Sequence, residues 1–324
     1  MSADAVGFAI ASARATDGPV TMRTELDHLP ERQQRELARA REILLEEFKK
    51  AIATATQPHK RGGRVLKIIL FGSYARNDWV DEPENGYQSD FDLLIVVSHE
   101  DLTDIADYWY VAEDRIARDP GIARPVNIIV HSLDEVNRSL RRGEYFWTDI
   151  ARDGVALYEL PSHPLATPMP LSAADAYRMA REYFDEWSET ARQLLVQGTE
   201  ATERGWHKNA AFLLHQAAER YYICVLLTHT FYFPRSHNIK FLRSLAEDKD
   251  ARLVEAWPRL TKLDRARFER LKRAYVEARY SASYAITSED LAILIEAIGR
   301  LRQIVLVLGN ERLEKLAVDA EEVR

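Results

Sequence analysis

The chain has 324 residues, 46% hydrophobic and 29% charged, with a formal net charge of -7. That length suits about two folded domains and that balance a soluble fold, while the negative total argues against a general nucleic-acid binder and leaves room only for a local basic face. One cysteine, Cys224, excludes an internal disulfide and a multi-cysteine metal site, and without a leader-like or membrane-spanning apolar run the expected setting is a reducing cytoplasm.

Residues 1–29 show no clear periodicity and read as a flexible amino-terminal extension. From Pro30 onward, Leu37, Leu44, Leu45, Phe48 and Ile52 recur at helical spacing among charged residues, and the proline and glycines of 58–63 end that amphipathic helix. Val65–Phe71 then reads as a buried strand, Phe91–Val97 as a second and Val126–Val130 as a third. Helices are expected over 102–118 and from a Ser132 N-cap to about Arg142, before a closing strand at 154–158. The four prolines of 160–170 mark a linker, taken as 161–171. Beyond it, helical periodicity covers 173–196, 206–229, 239–246, 263–280 and 288–316. The expected architecture is an α+β domain with a small mixed sheet over 30–160, followed by an all-α bundle over 172–324.

Chemistry concentrates between the first two strands. A glycine directly after a strand permits a tight turn and lets phosphate approach where a Cβ would otherwise stand, so Gly72 and Ser73 suit an anion at a helix start. Asp90 and Asp92, two apart at a strand opening, project from one face and suit magnesium with phosphate oxygens and water. Either feature alone is commonplace, as a turn or as solvated edge residues. The order strand, Gly-Ser, helix, Asp-x-Asp, apolar strand is far more specific.

Phe71-Gly72-Ser73-Tyr74-Ala75-Arg76 followed by Ser89-Asp90-Phe91-Asp92-Leu93-Leu94-Ile95-Val96-Val97 resembles the minimal nucleotidyltransferases of the polymerase-β-like superfamily, over about residues 60–159. The resemblance implies that Gly72, Ser73 and Arg76 bind a nucleoside triphosphate and that Asp90 and Asp92 bind Mg2+ as metal ligands and catalytic carboxylates. It further implies transfer of a nucleoside monophosphate, AMP from ATP, to an unidentified hydroxyl acceptor. Two departures matter. Sixteen residues separate Ser73 from Asp90, a longer spacing than in compact members, and the acidic, turn-rich stretch 79–87 reads as a surface insertion or a wall of an acceptor site. The family's third aspartate falls at Asn127, which offers a neutral amide oxygen and cannot act as a carboxylate base. The alternative to a working enzyme is a weak or inactive nucleotide-sensing or RNA-binding module related to HEPN–nucleotidyltransferase toxin–antitoxin pairs.

In the helical half, Ala210–Arg220, Ser236–Leu242 and Ala274–Tyr280 resemble three successive segments of HEPN domains, covering about 172–312. This implies a domain that positions the acceptor or forms a homodimer. The arginine-then-histidine pairing of ribonucleolytic HEPN domains is not met: Arg235 and His237 are two apart, and Arg124 and His131 flank a strand on opposite faces. His215 reads as a bundle-interface residue, His237 as part of a local cap, and Arg279-Tyr280 as a helix anchor. Arg265, Arg267, Arg270, Lys272 and Arg273 read as a solvated face, and as the surface that would meet RNA. No membrane partner is expected.

Overall fold

The computed structural model describes residues 21–322 except 54, 56, 83–86, 235 and 260, so much of the expected extension, the tip of the 79–87 insertion and Arg235 lie outside the described residues. Residues 21–29 are held in place, with Met22 and Leu29 buried and Arg23 bridging to Val155.

Helix α1 (Glu31–Ala53) buries Leu37, Ala40, Ile43, Leu44 and Phe48, the apolar stripe expected from their three- and four-residue spacing. A single turn, α2 (Pro58–Arg61), leads into β1 (Val65–Phe71), and another, α3 (Ser73–Arg76), follows Gly72. The insertion contributes a two-stranded ladder, β2 (Asp81–Glu82) against β3 (Tyr87–Gln88). Next come β4 (Phe91–Val97), α4 (Tyr110–Arg118), β5 (Val126–Ser132), α5 (Leu133–Arg141), α6 (Tyr145–Asp153) and β6 (Val155–Glu159). The main sheet runs β5-β4-β1-β6, with β5 parallel to β4 and the other pairs antiparallel, so the small mixed sheet is present.

Strand alternation positions the site. Ile68, Leu70, Leu93, Ile95, Val97, Ile128 and Val130 pack with α1 on one face. Ile69, Phe71, Leu94, Val96 and Ile129 face the other way and join a core continuous with the helical half. Asp92 continues the Leu94–Val96 alternation and Asn127 that of Ile129, so both belong to the face turned toward the helices.

That half comprises α7 (Ala173–Glu203), α8 (His207–Thr230), α9 (Ile239–Glu247), α10 (Lys262–Tyr280) and α11 (Ser288–Glu322). Ser172 caps α7 by accepting from the Asp175 N–H, and Thr261 with Asp264 forms a capping box on α10. Helix α8 is apolar on nearly every side and runs through the bundle centre. Aromatic contacts join the halves: Phe146 stacks on Tyr232 with centroids 4.0 Å apart, and Tyr145 meets Phe231 at 4.9 Å. No described helix is long and apolar enough to cross a membrane.

The structure differs from the sequence reading in three local details. The segment expected as one helix over 102–118 is a 3-10 turn at Glu100–Leu102, a π-helical turn at Ile105–Trp109, and an α-helix only from Tyr110. Helix α6 was not expected; it is short and its aromatics follow Gly143. Two helices of the helical half run well past their expected ends, α7 to Glu203 and α11 to Glu322.

Candidate nucleotide site

Gly72 ends β1 with φ 74° and ψ -153°, a left-handed backbone that favours glycine. A Cβ there would stand 2.8 Å from Asp92 Oδ2, so the glycine also makes room for the carboxylate. Helix α3 has one turn, so its macrodipole is small, and what it offers an anion is the amino-end N–H groups and the Ser73 hydroxyl. Its carbonyl side is anchored elsewhere: His28 Nε2 lies 2.9 Å from the Tyr74 carbonyl, and Arg23 donates to that of Ala75.

Asp90 and Asp92 are both buried. Burial pushes the Asp90 carboxyl above the usual range, opposed by the charge of Lys240, the Asn127 amide and the charge of Arg243. Asp92 is pushed well above its ordinary value, again chiefly by burial, with Asn127 opposing and the charges of Asp90 and Asp248 adding to the rise. Asn127 is in register with Asp92 across the parallel β4–β5 pair. Its Nδ2 donates to Asp92 Oδ1 at 3.0 Å and to Asp90 Oδ2 at 3.3 Å. The position of the expected third carboxylate is therefore occupied by an amide bridging the other two. Among the described residues no group of three or more His, Cys, Asp or Glu side chains is arranged to hold a metal ion.

Not all six sequence-predicted residues open on one space. Ser73, Asp90 and Asp92 line a cleft of about 500 Å³ between the halves, together with Gln88 and Ser89, which directly follow the insertion. Gly72 and Arg76 line a smaller apolar cavity beside it, of about 30 Å³. Asn127 opens on its far side into a separate cavity of about 860 Å³. Arg76 does not point freely at the cleft: it donates to Asp78 at 3.1 Å and pairs with Asp248 just past α9.

Sequence reasoning missed the far wall, where α9 contributes Lys240, Arg243, Ser244 and Glu247, joined by Lys249 and Arg259. The 240, 243, 244, 247 spacing marks one helical face, but nothing in the sequence says which domain surface it meets. It also missed Arg124, whose buried guanidinium donates to Tyr74 Oη at 2.6 Å and Glu36 Oε2 at 2.9 Å and also pairs with Asp81. Arg124 thereby ties α3 and the insertion to α1.

The helical histidines take other roles. His215 is fully buried, and burial lowers it to about 4. His237 does not cap α9; Asn238 does, accepting from the N–H groups of Lys240 and Phe241. His237 instead stacks on Tyr275 at 4.1 Å and reaches Glu219 at 3.2 Å. Arg279 lies over the Phe212 and Tyr275 rings as an anchor, whereas Tyr280 is 76% exposed. Within the basic run, Arg267 and Arg270 both pair with Asp290, Lys272 with Glu269 and Arg273 with Glu277. Burial pushes the Cys224 thiol up to about 12, so it is inert.

The HEPN domain family model matches residues 184–312. A curated Methanocaldococcus jannaschii protein named "Putative protein adenylyltransferase" is 34% identical over 101 residues, which span 31% of this chain and 84% of that relative. A solved nucleotidyltransferase-like protein from Exiguobacterium sibiricum 255-15 aligns at 13% identity and a TM-score of 0.26, over 82% of this chain and 78% of its own. The chain thus belongs to the family of that archaeal relative, and the match over 184–312 gives it a HEPN domain in its carboxy-terminal half.

Proposed function

We propose that the protein is a nucleotide-sensing module that binds ATP with magnesium at a nucleotidyltransferase-type site and turns it over weakly or not at all. Asp90 and Asp92 are the residues that would hold the metal. Two buried carboxylates with raised pKa values, on a glycine that leaves room for one of them, fit a divalent cation. Magnesium bound there supplies neutralisation of phosphate charge. Gly72 and the Ser73 hydroxyl receive phosphate oxygens. Arg76 joins them only on release from Asp248.

The observation that carries the reading is the Asn127 bridge to both carboxylates. An amide accepts no proton from an attacking hydroxyl, so the site lacks a base where the family has its third carboxylate. Rotating the amide by half a turn would present its oxygen to a cation, which supports binding but supplies no base.

The second reading is AMP transfer from ATP to a hydroxyl acceptor. It is favoured by the retention of Gly72, Ser73, Asp90 and Asp92 around one centre, and by the adenylyltransferase name of the archaeal relative. An RNA partner has less support, because most of the basic run on α10 is engaged in ion pairs. The deciding experiment incubates wild type and Asn127→Asp with α-labelled ATP and magnesium, then measures retained nucleotide, pyrophosphate and labelled acceptor. Sensing requires ATP retained by wild type with little or no pyrophosphate, and more pyrophosphate from Asn127→Asp. Sustained catalytic pyrophosphate release from wild type, no slower than from Asn127→Asp, sinks it in favour of transfer.

A further inference from the structure

We infer that Lys240 and Arg243, on α9 of the HEPN domain, hold the polyphosphate of the nucleotide bound at Asp90 and Asp92, so that ATP bridges the two domains. The inference rests on the nucleotide reading and deepens it. Helix α9 is fixed by its apolar face: Ile239, Phe241, Leu242, Leu245 and Ala246 are buried in the bundle. The opposite stripe, Lys240, Arg243, Ser244 and Glu247, forms a wall of the cleft that Ser73, Asp90 and Asp92 line from the other domain.

Charge on that wall is not balanced within it. Among the described residues the Lys240 ammonium forms no ion pair. Arg243 and Arg259 share one carboxylate, Glu247, at 3.7 Å in the first case and closer in the second. The remaining charged groups of the wall are engaged with residues outside this stripe: Asp248 with Arg76, Lys249 with Asp149, and Asp250 with Arg252. Lys240 therefore presents an ammonium without an ion pair to two buried carboxylates, with the Arg243 guanidinium beside it on the same stripe. A metal on the carboxylates and phosphate between metal and α9 would alternate the signs across the cleft. Such placement leaves neither the ammonium nor the triphosphate without a counter-charge. It also makes nucleotide occupancy felt by the HEPN domain, which is what a sensor requires.

The test is calorimetric titration of full-length wild type, Lys240→Gln and Lys240→Arg with ATP and separately with AMP, each in magnesium. Lys240 is partly exposed, and circular dichroism checks that the glutamine variant folds. The expected result is ATP binding weakened about tenfold or more in Lys240→Gln, with AMP binding unchanged and ATP binding largely kept in Lys240→Arg. Equal ATP affinity in wild type and Lys240→Gln, or equal losses for ATP and AMP, overturns the α9 assignment while leaving the nucleotide site standing. Absence of ATP binding by wild type overturns both.

Discussion

Asn127→Asp replaces the amide that bridges Asp90 and Asp92 with a third carboxylate in a buried site. The native amide nitrogen stands 3.0 Å and 3.3 Å from the two carboxylates. Like charges about 4 Å apart at an effective dielectric of about 20 repel by about 4 kcal/mol. Proton uptake limits that cost, since each unit of raised pKa corresponds to about 1.4 kcal/mol, and both aspartates already stand above the usual range. Loss of two donor contacts adds about 1 kcal/mol each. A metal-free destabilisation of about 3 kcal/mol is expected, which lowers Tm by about 4–5 °C in a chain of 324 residues. Three carboxylates bind magnesium more tightly than two, so millimolar magnesium should restore most of that loss in the variant and move wild type little. Thermal melts in EDTA and in magnesium read both effects. Coincident melts of variant and wild type in EDTA, or a magnesium response no larger in the variant, would refute the bridging role.

Gly72→Ala must place a side chain at φ 74° with its Cβ 2.8 Å from Asp92 Oδ2. A cost of about 1–3 kcal/mol and loss of magnesium-dependent ATP binding are expected, and calorimetry showing wild-type affinity would contradict this. Burial lowers both His215 and His229 to about 4 from an ordinary 6.5. As pH falls from 6.5 toward 4, the unfolded chain takes up protons that these folded imidazoles refuse, so the helical half loses stability across that window, by roughly 3 kcal/mol per histidine. Urea midpoints should fall between pH 7 and pH 5, and constant midpoints would show that neither histidine is held neutral. Phe146→Ala removes the ring stacked on Tyr232 between the halves and is expected to cost about 3–5 kcal/mol and to speed proteolysis near 160–170. Unchanged melting and digestion would mean the stack does not hold the halves together.

Much of the fold is legible because its signals are local. Val65–Phe71 and Phe91–Val97 are β-branched, apolar runs bounded by glycine and polar residues, and both appear with the expected ends. Ser132 caps α5 as its residue type and place imply, accepting from the Glu135 N–H. Asn127 is likewise readable, since a parallel neighbour in register with Asp92 follows from the strand pattern. What stays hidden depends on long-range placement. Lys240 and Arg243 look like an ordinary polar helix face until α9 is seen across the cleft from Asp90. Arg76 looks like a phosphate ligand until Asp248, 172 residues away, is found beside it. Arg124 reads as a coincidental basic residue because its partners come from α1, α3 and the insertion. The break at Ile105–Trp109 carries no proline or glycine to announce it.

The central claim, a magnesium-dependent nucleotide site that does not depend on turnover, is tested most directly by titrating ATP into wild type and Asp92→Asn with magnesium and with EDTA. Wild type should bind ATP at one site in magnesium only. Asp92→Asn should bind none, yet melt no lower than wild type, because the substitution removes a buried charge without changing shape. Equal ATP binding by the two proteins, or binding by wild type that persists in EDTA, would contradict the account.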